Sequence, residues 1–376
     1  MRSISKLSLF EWLLTQRNNA EYILGFSDAD GLTLSEYYQL TEFKVPPDFN
    51  LGVNHLYGSE ELKKVLSEMY HCEPNNIVIT SGCTEANFLV FFALLNRGDE
   101  VIVEQPGYQP LFVTPEVLGA RLVFWPRLFN NGFKLDVNGL HSLVTPQSRL
   151  VVFTNLHNPS GVLTDIVTVK AVSEIASSKG LYVLVDETFL DGAFNTPQSA
   201  FGLPNTIITS GISKVYGLGG LRVGWIIAPE EIATLCQEAK AHVTAGVSAL
   251  SEVFSAQFLS IAKSDYLRRL HRHSEENLQI LSKWFSDNQE LVEWVKPDGG
   301  LFCFPRYKIP VSSLDLCRRL ISDVRVMVDP GFFFNMEGFF RLGFICEQEA
   351  LAGGLSVLSK GLGLIKASSS IVNTPS

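Results

Sequence analysis

The chain has 376 residues, of which 46% are hydrophobic and 18% charged, a composition typical of a globular protein and not of a disordered one. A formal net charge of −9 without long lysine or arginine runs argues against nucleic acid as a partner. No uninterrupted apolar stretch in the sequence is long enough to span a membrane. The six cysteines are scattered without CxxC pairs, which predicts no metal site and fits a soluble, cytoplasmic protein.

The first half of the chain has the pattern of an α/β domain. Residues 8–20 have the spacing of an amphipathic helix, and Thr33 is a candidate N-cap for a helix over 34–40. Apolar runs then alternate with helical periodicity, with strands predicted at 77–80, 100–104, 121–125, 149–154, 181–185, 206–209 and 222–228 and helices at 60–70, 85–95, 111–118, 165–178 and 230–242. This alternation predicts a seven-stranded, mostly parallel sheet covered by helices on both faces.

The last third of the chain has a different pattern. A long helical stretch over 251–285 precedes shorter apolar runs at 291–295, 301–304, 325–328 and 339–344, with helices predicted at 312–321 and 347–362. These elements predict a smaller α+β domain. We therefore expect an N-terminal segment (1–45) that docks on the small domain, a large domain (46–285) and a small C-terminal domain (286–376).

A glycine-containing loop after the strand predicted at 206–209 carries Ser213 and Lys214, and Arg222 follows shortly after. Ligand-binding residues of parallel sheets collect in such loops at the carboxyl ends of strands. An amine sheltered from water can form a Schiff base, and the planar fork of an arginine binds phosphate. The pair suits pyridoxal phosphate, although a surface lysine and an unrelated arginine explain this loop equally well.

Four other loops at strand ends fit the same cofactor. Gly82 and Cys83 open a predicted helix, where free backbone N–H groups bind anions, and the ring of Tyr108 can stack on a planar heterocycle. Asn158 lies in an Asn-Pro-x-Gly turn and can donate to a phenolic oxygen. Asp186 ends an apolar run, where a protonated pyridine nitrogen is a suitable partner. Each feature also has an ordinary explanation as a loop, packed ring, turn or helix cap.

Taken together in chain order, these motifs resemble the class I/II aminotransferases, which are fold-type I pyridoxal-phosphate enzymes. The resemblance covers about residues 22–362 and rests on Tyr57, Ser81-Gly82-Cys83-Thr84, Pro106-Gly107-Tyr108, Asn158-Pro159-Ser160-Gly161, Asp186-Glu187, Ser213-Lys214, Arg222 and Arg341-Leu342-Gly343-Phe344. It implies pyridoxal 5′-phosphate as cofactor and the transfer of an amino group from an L-amino acid to a 2-oxo acid by a ping-pong mechanism.

The same resemblance implies roles for individual residues. Lys214 would form the Schiff base and move the substrate proton, Asp186 would pair with the pyridine nitrogen, and Tyr108 would stack on the ring. Asn158 would contact the ring hydroxyl oxygen and the substrate, and Arg341 would clamp the substrate α-carboxylate bidentately. The phosphate would be held by Gly82, Cys83, Ser213 and Arg222, and by Tyr57 of the neighbouring subunit, which implies a homodimer with shared active sites.

Three positions depart from the family pattern. Phe189 stands where a tyrosine usually donates to the ring oxygen, Gly211 stands where a serine or threonine often binds the phosphate, and Cys83 stands where a small hydroxyl residue or alanine is usual. Segment 24–34 resembles a subgroup that includes cyclising enzymes acting on arginine derivatives.

Other functions stay open on the sequence. A pyridoxal-phosphate-dependent lyase, decarboxylase or cyclase is the alternative to an aminotransferase, and a non-catalytic sensor of the cofactor or of an amino acid is a third hypothesis. A dehydrogenase is disfavoured, because no GxGxxG motif opens a helix after the first predicted strand. Segment 242–248 has no arginine of the kind that binds the second carboxylate in dicarboxylate-specific relatives, so strict aspartate specificity is disfavoured.

Overall fold

The computed structural model describes residues 5–52 and 55–372. The order of its α-helices and β-strands is α1 (Ser8–Gln16), β1 (Tyr22–Ile23), α2 (Leu34–Thr41), α3 (Glu60–Tyr70), β2 (Ile77–Thr80), α4 (Cys83–Leu94), β3 (Glu100–Gln105), α5 (Gln109–Leu118), β4 (Arg121–Pro126), α6 (Val137–Leu143), β5 (Ser148–Thr154), α7 (Ile166–Ser178), β6 (Tyr182–Asp186), β7 (Thr206–Gly211), β8 (Gly224–Ile227), α8 (Glu230–Ala241), α9 (Ala249–Gln257), α10 (Lys263–Asp287), β9 (Val292–Glu293), β10 (Phe302–Cys303), β11 (Arg306–Tyr307), α11 (Ser313–Val324), β12 (Val326–Met327), β13 (Asp329–Pro330), β14 (Phe340–Gly343) and α12 (Gln348–Val372).

The large domain is built on one sheet, and the predicted fold is confirmed. Within the described residues this sheet has seven strands in the order β2-β8-β7-β6-β5-β3-β4. All neighbours are parallel except β8, which is antiparallel to both β2 and β7. The strand predicted at 222–228 begins later, at Gly224, because Arg222 has a left-handed backbone (φ 53°) that ends a short 3₁₀ turn.

Helices cover both faces of the sheet because the strands are apolar on both sides. Along β5, Val151 and Phe153 point into one hydrophobic cluster, where α3, α7 and α9 contribute side chains. The alternating residues Leu150 and Val152 point into a second cluster, which α4 and α8 cover. A strand whose successive side chains enter two cores has no solvent face, which explains the continuous apolar runs in the sequence.

The small domain contains short antiparallel sheets with the orders β10-β14-β13 and β9-β11, and α11 and α12 pack together beside them. The N-terminal segment meets this domain through the parallel pairing of β1 with β12 and through the side chains of Leu9 and Trp12. The segment does not dock as a unit up to residue 45, because Ala29 and Tyr37 lie in the core of the large domain.

Helix α10 links the two cores. The helical stretch predicted over 251–285 consists of α9 and α10, joined by a π-helical turn at Phe258–Ala262. Tyr266 and Leu270 in the first half of α10 pack in the large-domain core, whereas Leu278 and Trp284 in its second half pack in the small-domain core. The domain boundary predicted near residue 285 therefore falls at the end of a helix that both cores share.

Helix α12 is long and apolar enough over Gln348–Ser369 to cross a membrane by length and composition alone. Its lysine at position 360 interrupts the apolar run, which is why the sequence shows no unbroken stretch of that length. In the fold, Leu351, Leu355, Leu358 and Leu362 are buried in the small-domain core. A core helix of this kind passes the same composition test.

Candidate active site

A cavity of about 380 Å³ lies where four neighbouring parallel strands end. Tyr108 follows β3, Asn158 follows β5, Asp186 ends β6, and Ser213 and Lys214 follow β7. Because the carboxyl ends of adjacent parallel strands meet at one edge, residues far apart in sequence converge there. All five line this cavity, together with Cys83 and Arg222, so most of the predicted site residues are brought together.

One corner of the cavity is shaped for an anion. Arg222 donates from Nη1 to the Ser213 hydroxyl (3.3 Å) and from Nη2 to the Ser81 carbonyl oxygen (3.3 Å). Helix α4 begins beside it at Cys83, and among the described residues no side chain caps its first N–H groups. A Cβ atom at Gly82 would lie 2.4 Å from Nη2 of Arg222, so only glycine fits at this position. A guanidinium, a hydroxyl and a helix N-terminus thus converge on one point.

Asp186 is held at the cavity wall by Asn87 of helix α4 and by the loop that directly follows β6. Its Oδ2 accepts a hydrogen bond from the Asn87 amide (2.8 Å), and its Oδ1 accepts from the backbone N–H of Thr188 (3.0 Å). The Asn87 amide oxygen in turn accepts from the Thr209 hydroxyl (2.6 Å). Asn87 was not among the predicted site residues, although a polar residue in the apolar helix α4, one turn after Cys83, is a signal for it.

A buried ionic network supports the loop that carries Asn158. Nε of Arg127 lies 2.7 Å from Oε2 of Glu104, and both side chains are fully buried. Oε1 of Glu104 accepts from the backbone N–H and the hydroxyl of Thr154 (2.7 and 2.6 Å), and that hydroxyl accepts from the N–H of Asn158 (2.8 Å). Burial raises the pKa of Glu104 to about 7, although Arg127 opposes the shift.

Lys214 forms an ion pair with a residue that the sequence did not single out. Its Nζ lies 2.8 Å from Oδ1 and 3.0 Å from Oδ2 of Asp28, whose side chain is 42% exposed. The backbone N–H of Ala29 donates to the Lys214 carbonyl oxygen (2.9 Å), so the N-terminal segment is fixed against the lysine loop. Asp28 lies within the segment 24–34 that suggested a subgroup, but nothing local indicates that it reaches a residue 186 positions later.

Arg341 lies behind Asn158, and its guanidinium already donates hydrogen bonds to three other residues. Nη1 donates to Oδ1 of Asn158 (3.2 Å), Nη2 donates to the Gly25 carbonyl oxygen (3.2 Å), and Nε and Nη2 both donate to Oδ2 of Asp329 (3.2 and 2.6 Å). Burial raises the pKa of Asp329 to about 6 against the opposing effect of Arg341. The edge formed by Nε and Nη2 therefore holds Asp329, and a bidentate clamp on a substrate would have to use the edge formed by Nη1 and Nη2.

Tyr57 does not take part in the cavity of its own chain. Its side chain is 60% exposed and lines a separate cavity that also includes Lys63 and His242. Contact with the phosphate of a neighbouring subunit stays a prediction.

Glu187, next to Asp186, gives a testable pH dependence of stability. Its carboxylate accepts from the Ala200 N–H and the Ser199 hydroxyl (both 2.7 Å), yet burial raises its pKa from 4.5 to about 8. Between these values the unfolded chain is ionised at this position while the folded chain keeps the proton, so stability falls as pH rises from 4.5 to about 8. Glu187→Gln should flatten this fall, by a few kcal/mol at most, in urea unfolding curves recorded at pH 5.5 and 8.5. A variant curve parallel to that of the wild type would contradict the assignment.

Comparison with known proteins decides the family. The model of the family "Aminotransferase class I and II" matches residues 50–358. The chain belongs to this family. Among curated relatives, capreomycidine synthase of Streptomyces vinaceus is 31% identical over 81% of the chain and 79% of its own length.

Solved structures agree with this assignment. A pyridoxal-phosphate-dependent aminotransferase from Streptococcus suis is 29% identical, with a TM-score of 0.89 over 96% of the chain and 99% of its own length. The pyridoxal-phosphate-dependent cyclase OrfR is 25% identical, with a TM-score of 0.88 over 97% and 98% of the two chains.

Pyridoxal 5′-phosphate is therefore the cofactor of this class I/II aminotransferase family member, and the cavity fits it. Arg222, Ser213 and the start of α4 suit the phosphate, Asp186 suits the ring nitrogen, and Lys214 lies in the same cavity. The ring of Tyr108 borders the cavity. Burial raises the pKa of its hydroxyl, so the side chain stays neutral.

Two departures from the family pattern have structural explanations. Gly211 lies opposite Gly224 in the β7–β8 pair, and a Cβ atom at Gly211 would lie 2.9 Å from the Val223 carbonyl oxygen, so a serine or threonine has no room there. Phe189 is buried and packs edge-on against Phe302 with the ring centroids 4.8 Å apart. Without a hydroxyl at position 211, the phosphate site is left with the start of α4, Ser213 and Arg222. Asn158 is left without a neighbouring tyrosine hydroxyl at position 189.

Proposed function

We propose that the chain is an aminotransferase that moves an amino group from an L-amino acid to a 2-oxo acid. The observation that carries this proposal is the convergence of Lys214, Asp186 and Arg222 on one cavity that suits the family's cofactor. When bound, pyridoxal phosphate supplies an electron-withdrawing ring that acidifies the Cα–H bond of the substrate.

The protein's part in the reaction is to hold charges and move one proton. Asp186, fixed by Asn87, would keep a proton on the ring nitrogen of the bound cofactor, because a carboxylate beside that nitrogen favours its charged form. Nζ of Lys214 would act as the general base that takes the proton from Cα of the substrate. The substrate carboxylate binds at the Nη1 side of Arg341, where Asn158 adds its amide.

Support for a homodimer comes from the surface around Tyr57. At least half of the surface is exposed at each of three apolar residues, Leu51, Leu56 and Val243. Leu51 also borders a cavity together with the segment 245–250. Clustered exposed apolar side chains favour burial against another protein surface. We propose that a second copy of the chain covers them and that Tyr57 reaches its active site.

A cyclisation reaction is the second candidate. Capreomycidine synthase and the OrfR cyclase are among the similar proteins. The resemblance to cyclising enzymes lies in segment 24–34, whose Asp28 forms the ion pair with Lys214. A cyclase needs the same lysine, aspartate and arginine, so the cavity alone supports both reactions. The two differ in whether an acceptor is required.

Turnover with and without a 2-oxo acid separates the two candidates. The cofactor-loaded enzyme is incubated with a panel of amino acids, either alone or with 2-oxoglutarate or pyruvate. A transaminase should form at most one product molecule per active site without the oxo acid and many with it. Sustained turnover without an oxo acid would favour the cyclase or lyase. Borohydride reduction and peptide mapping provide the cofactor control: the adduct is expected on Lys214 and should be lost in Lys214→Ala.

A further inference from the structure

We propose that His157 is a positioning residue that ties the loop of Tyr108 to the turn of Asn158 and so fixes the cavity for its cofactor. The inference concerns cofactor binding, which an aminotransferase and a cyclase share, and it does not depend on which of the two reactions follows. It is carried by the two ring hydrogen bonds of a buried imidazole and by where its partners lie in the chain.

His157 joins these two parts of the chain from a fully buried position. Its Nε2 lies 2.9 Å from the Pro106 carbonyl oxygen, shortly before Tyr108. Its Nδ1 lies 2.6 Å from the Ser160 hydroxyl, shortly after Asn158. Tyr108 and Asn158 line the cavity, whereas His157 is not among the described residues that do so. The imidazole therefore affects a bound ligand only through its neighbours.

The hydrogen-bond partners of the ring fix its protonation. A carbonyl oxygen only accepts, so Nε2 carries the proton, and Nδ1 is left to accept from the Ser160 hydroxyl. Burial lowers the pKa of His157 well below its ordinary value, and the nearby Arg127 guanidinium lowers it further. Oε2 of Glu104 lies 3.8 Å from Nε2 but is paired with Arg127 at 2.7 Å. The ring is therefore neutral, with one donor and one acceptor, and both are used.

The bond from His157 fixes the Tyr108 loop to the large domain. The residue before Tyr108, Gly107, donates from its N–H to the carbonyl oxygen of Phe334 (3.1 Å), which belongs to the small-domain core. Pro106 is buried, and its carbonyl oxygen accepts from His157, which follows strand β5 of the large domain. Without that donor the oxygen would be left buried and unpaired, which favours a shift of the loop that carries Tyr108.

Two amide variants separate the roles of the two ring nitrogens. A glutamine amide at position 157 extends about as far as Nε2 and can still donate to Pro106, whereas an asparagine amide extends only about as far as Nδ1. The dissociation constant of pyridoxal 5′-phosphate is measured by absorbance titration of the cofactor-free protein. We expect it to rise about tenfold or more in His157→Asn and to stay within about threefold of the wild-type value in His157→Gln. No substrate is present, so the result is separate from that of the proposed amino transfer.

His271→Asn is the matched control. Nε2 of His271 also lies 2.8 Å from a backbone carbonyl oxygen, that of Asp191, but His271 is not among the described residues that line the cavity. The dissociation constant of the control should match that of the wild type. An unchanged dissociation constant in folded His157→Asn would overturn the proposal.

A double-variant cycle shows whether His157 acts through Tyr108. In the Tyr108→Ala background, His157→Asn should raise the dissociation constant by about threefold or less, because the ring whose position it controls is gone. A further rise of about tenfold in this background would mean that the imidazole supports the fold in general, and the positioning role would be refuted. Urea unfolding of each cofactor-free variant verifies that folded proteins are compared.

A measurement on the wild-type enzyme covers the case in which His157→Asn does not fold. Two-bond ¹H–¹⁵N spectra of the cofactor-loaded protein report the protonation of each of its seven histidine rings. One ring should remain neutral with its proton on Nε2 from about pH 5.5 to about pH 8.5, because burial holds its pKa below this range. If no ring behaves in this way, the proposal fails.

Discussion

Arg127→Met should lower the free energy of unfolding at pH 8 by about 3–5 kcal/mol, the cost of removing one partner from a fully buried ion pair. Nε of Arg127 lies 2.7 Å from Oε2 of Glu104, and Nη1 donates to the Phe133 carbonyl oxygen (3.1 Å) and the Thr164 hydroxyl (3.2 Å). Methionine fills much of the volume but leaves Glu104 buried without a cation, so at pH 8 this residue must either hold an unpaired charge or take up a proton. Urea unfolding monitored by tryptophan fluorescence measures the change.

The pH dependence of this loss identifies its cause. Burial already raises the pKa of Glu104 to about 7 with Arg127 present, and removal of the guanidinium raises it further. The raised value means that Glu104 keeps its proton in the folded chain at low pH, so the variant should recover part of its stability at pH 5.5. The double variant Glu104→Gln/Arg127→Met should recover more than half of the loss at pH 8. An equal loss at both pH values would show that lost packing, not the unpaired charge, is responsible.

Asp186→Asn should reduce kcat/KM by about 10²–10³-fold, because the amide removes the fixed charge that stabilises a protonated ring nitrogen. Asn87→Ala should have a smaller effect of about tenfold, since the carboxylate remains but loses its 2.8 Å donor. The variants are compared at saturating cofactor, and cofactor retention after dialysis is a second readout.

Thr209→Val provides the third step of this series. It removes the hydroxyl that donates to the Asn87 amide oxygen (2.6 Å) and leaves both Asn87 and Asp186 in place. We expect the effects to decrease in the order Asp186→Asn, Asn87→Ala, Thr209→Val. A loss for Asn87→Ala as large as that for Asp186→Asn would mean that the carboxylate needs its orientation as much as its charge, and no loss at all would remove Asn87 from the site.

The fold was predictable because its strongest sequence signals are local. Apolar runs such as those at β5 and β6 mark strands that are buried on both faces, and the polar residues Asn158 and Asp186 follow where those runs end. In a parallel sheet the carboxyl ends of neighbouring strands lie at one edge, so the sequence pattern alone predicts that these residues are close together. The same reasoning put Lys214 and Tyr108 in one cavity.

The residues that were missed all depend on long-range contacts. Asp28 reaches Lys214 only because the N-terminal segment crosses from one domain to the other, and Asp329 reaches Arg341 through the pairing of β13 with β14. Asn87 reaches Asp186 because α4 packs over the end of β7. A single sequence shows the chemistry of these side chains but not the tertiary neighbours that give them a role. The start of the strand predicted at 222–228 was wrong for a local reason. Arg222 has a left-handed backbone and lies before β8, and the pattern of apolar residues does not reveal such a conformation.

Helix α10 has a consequence for how the molecule loses its structure. Its first turns supply Tyr266 and Leu270 to one core and its later turns supply Leu278 and Trp284 to the other, while the buried Asn277 between them donates to the carbonyl oxygens of Phe344 and Cys346 (2.7 and 2.8 Å). Each core therefore includes side chains of helix α10. Unfolding that starts in either half of α10 therefore exposes part of the other core, and we expect the two domains to melt together and not one after the other.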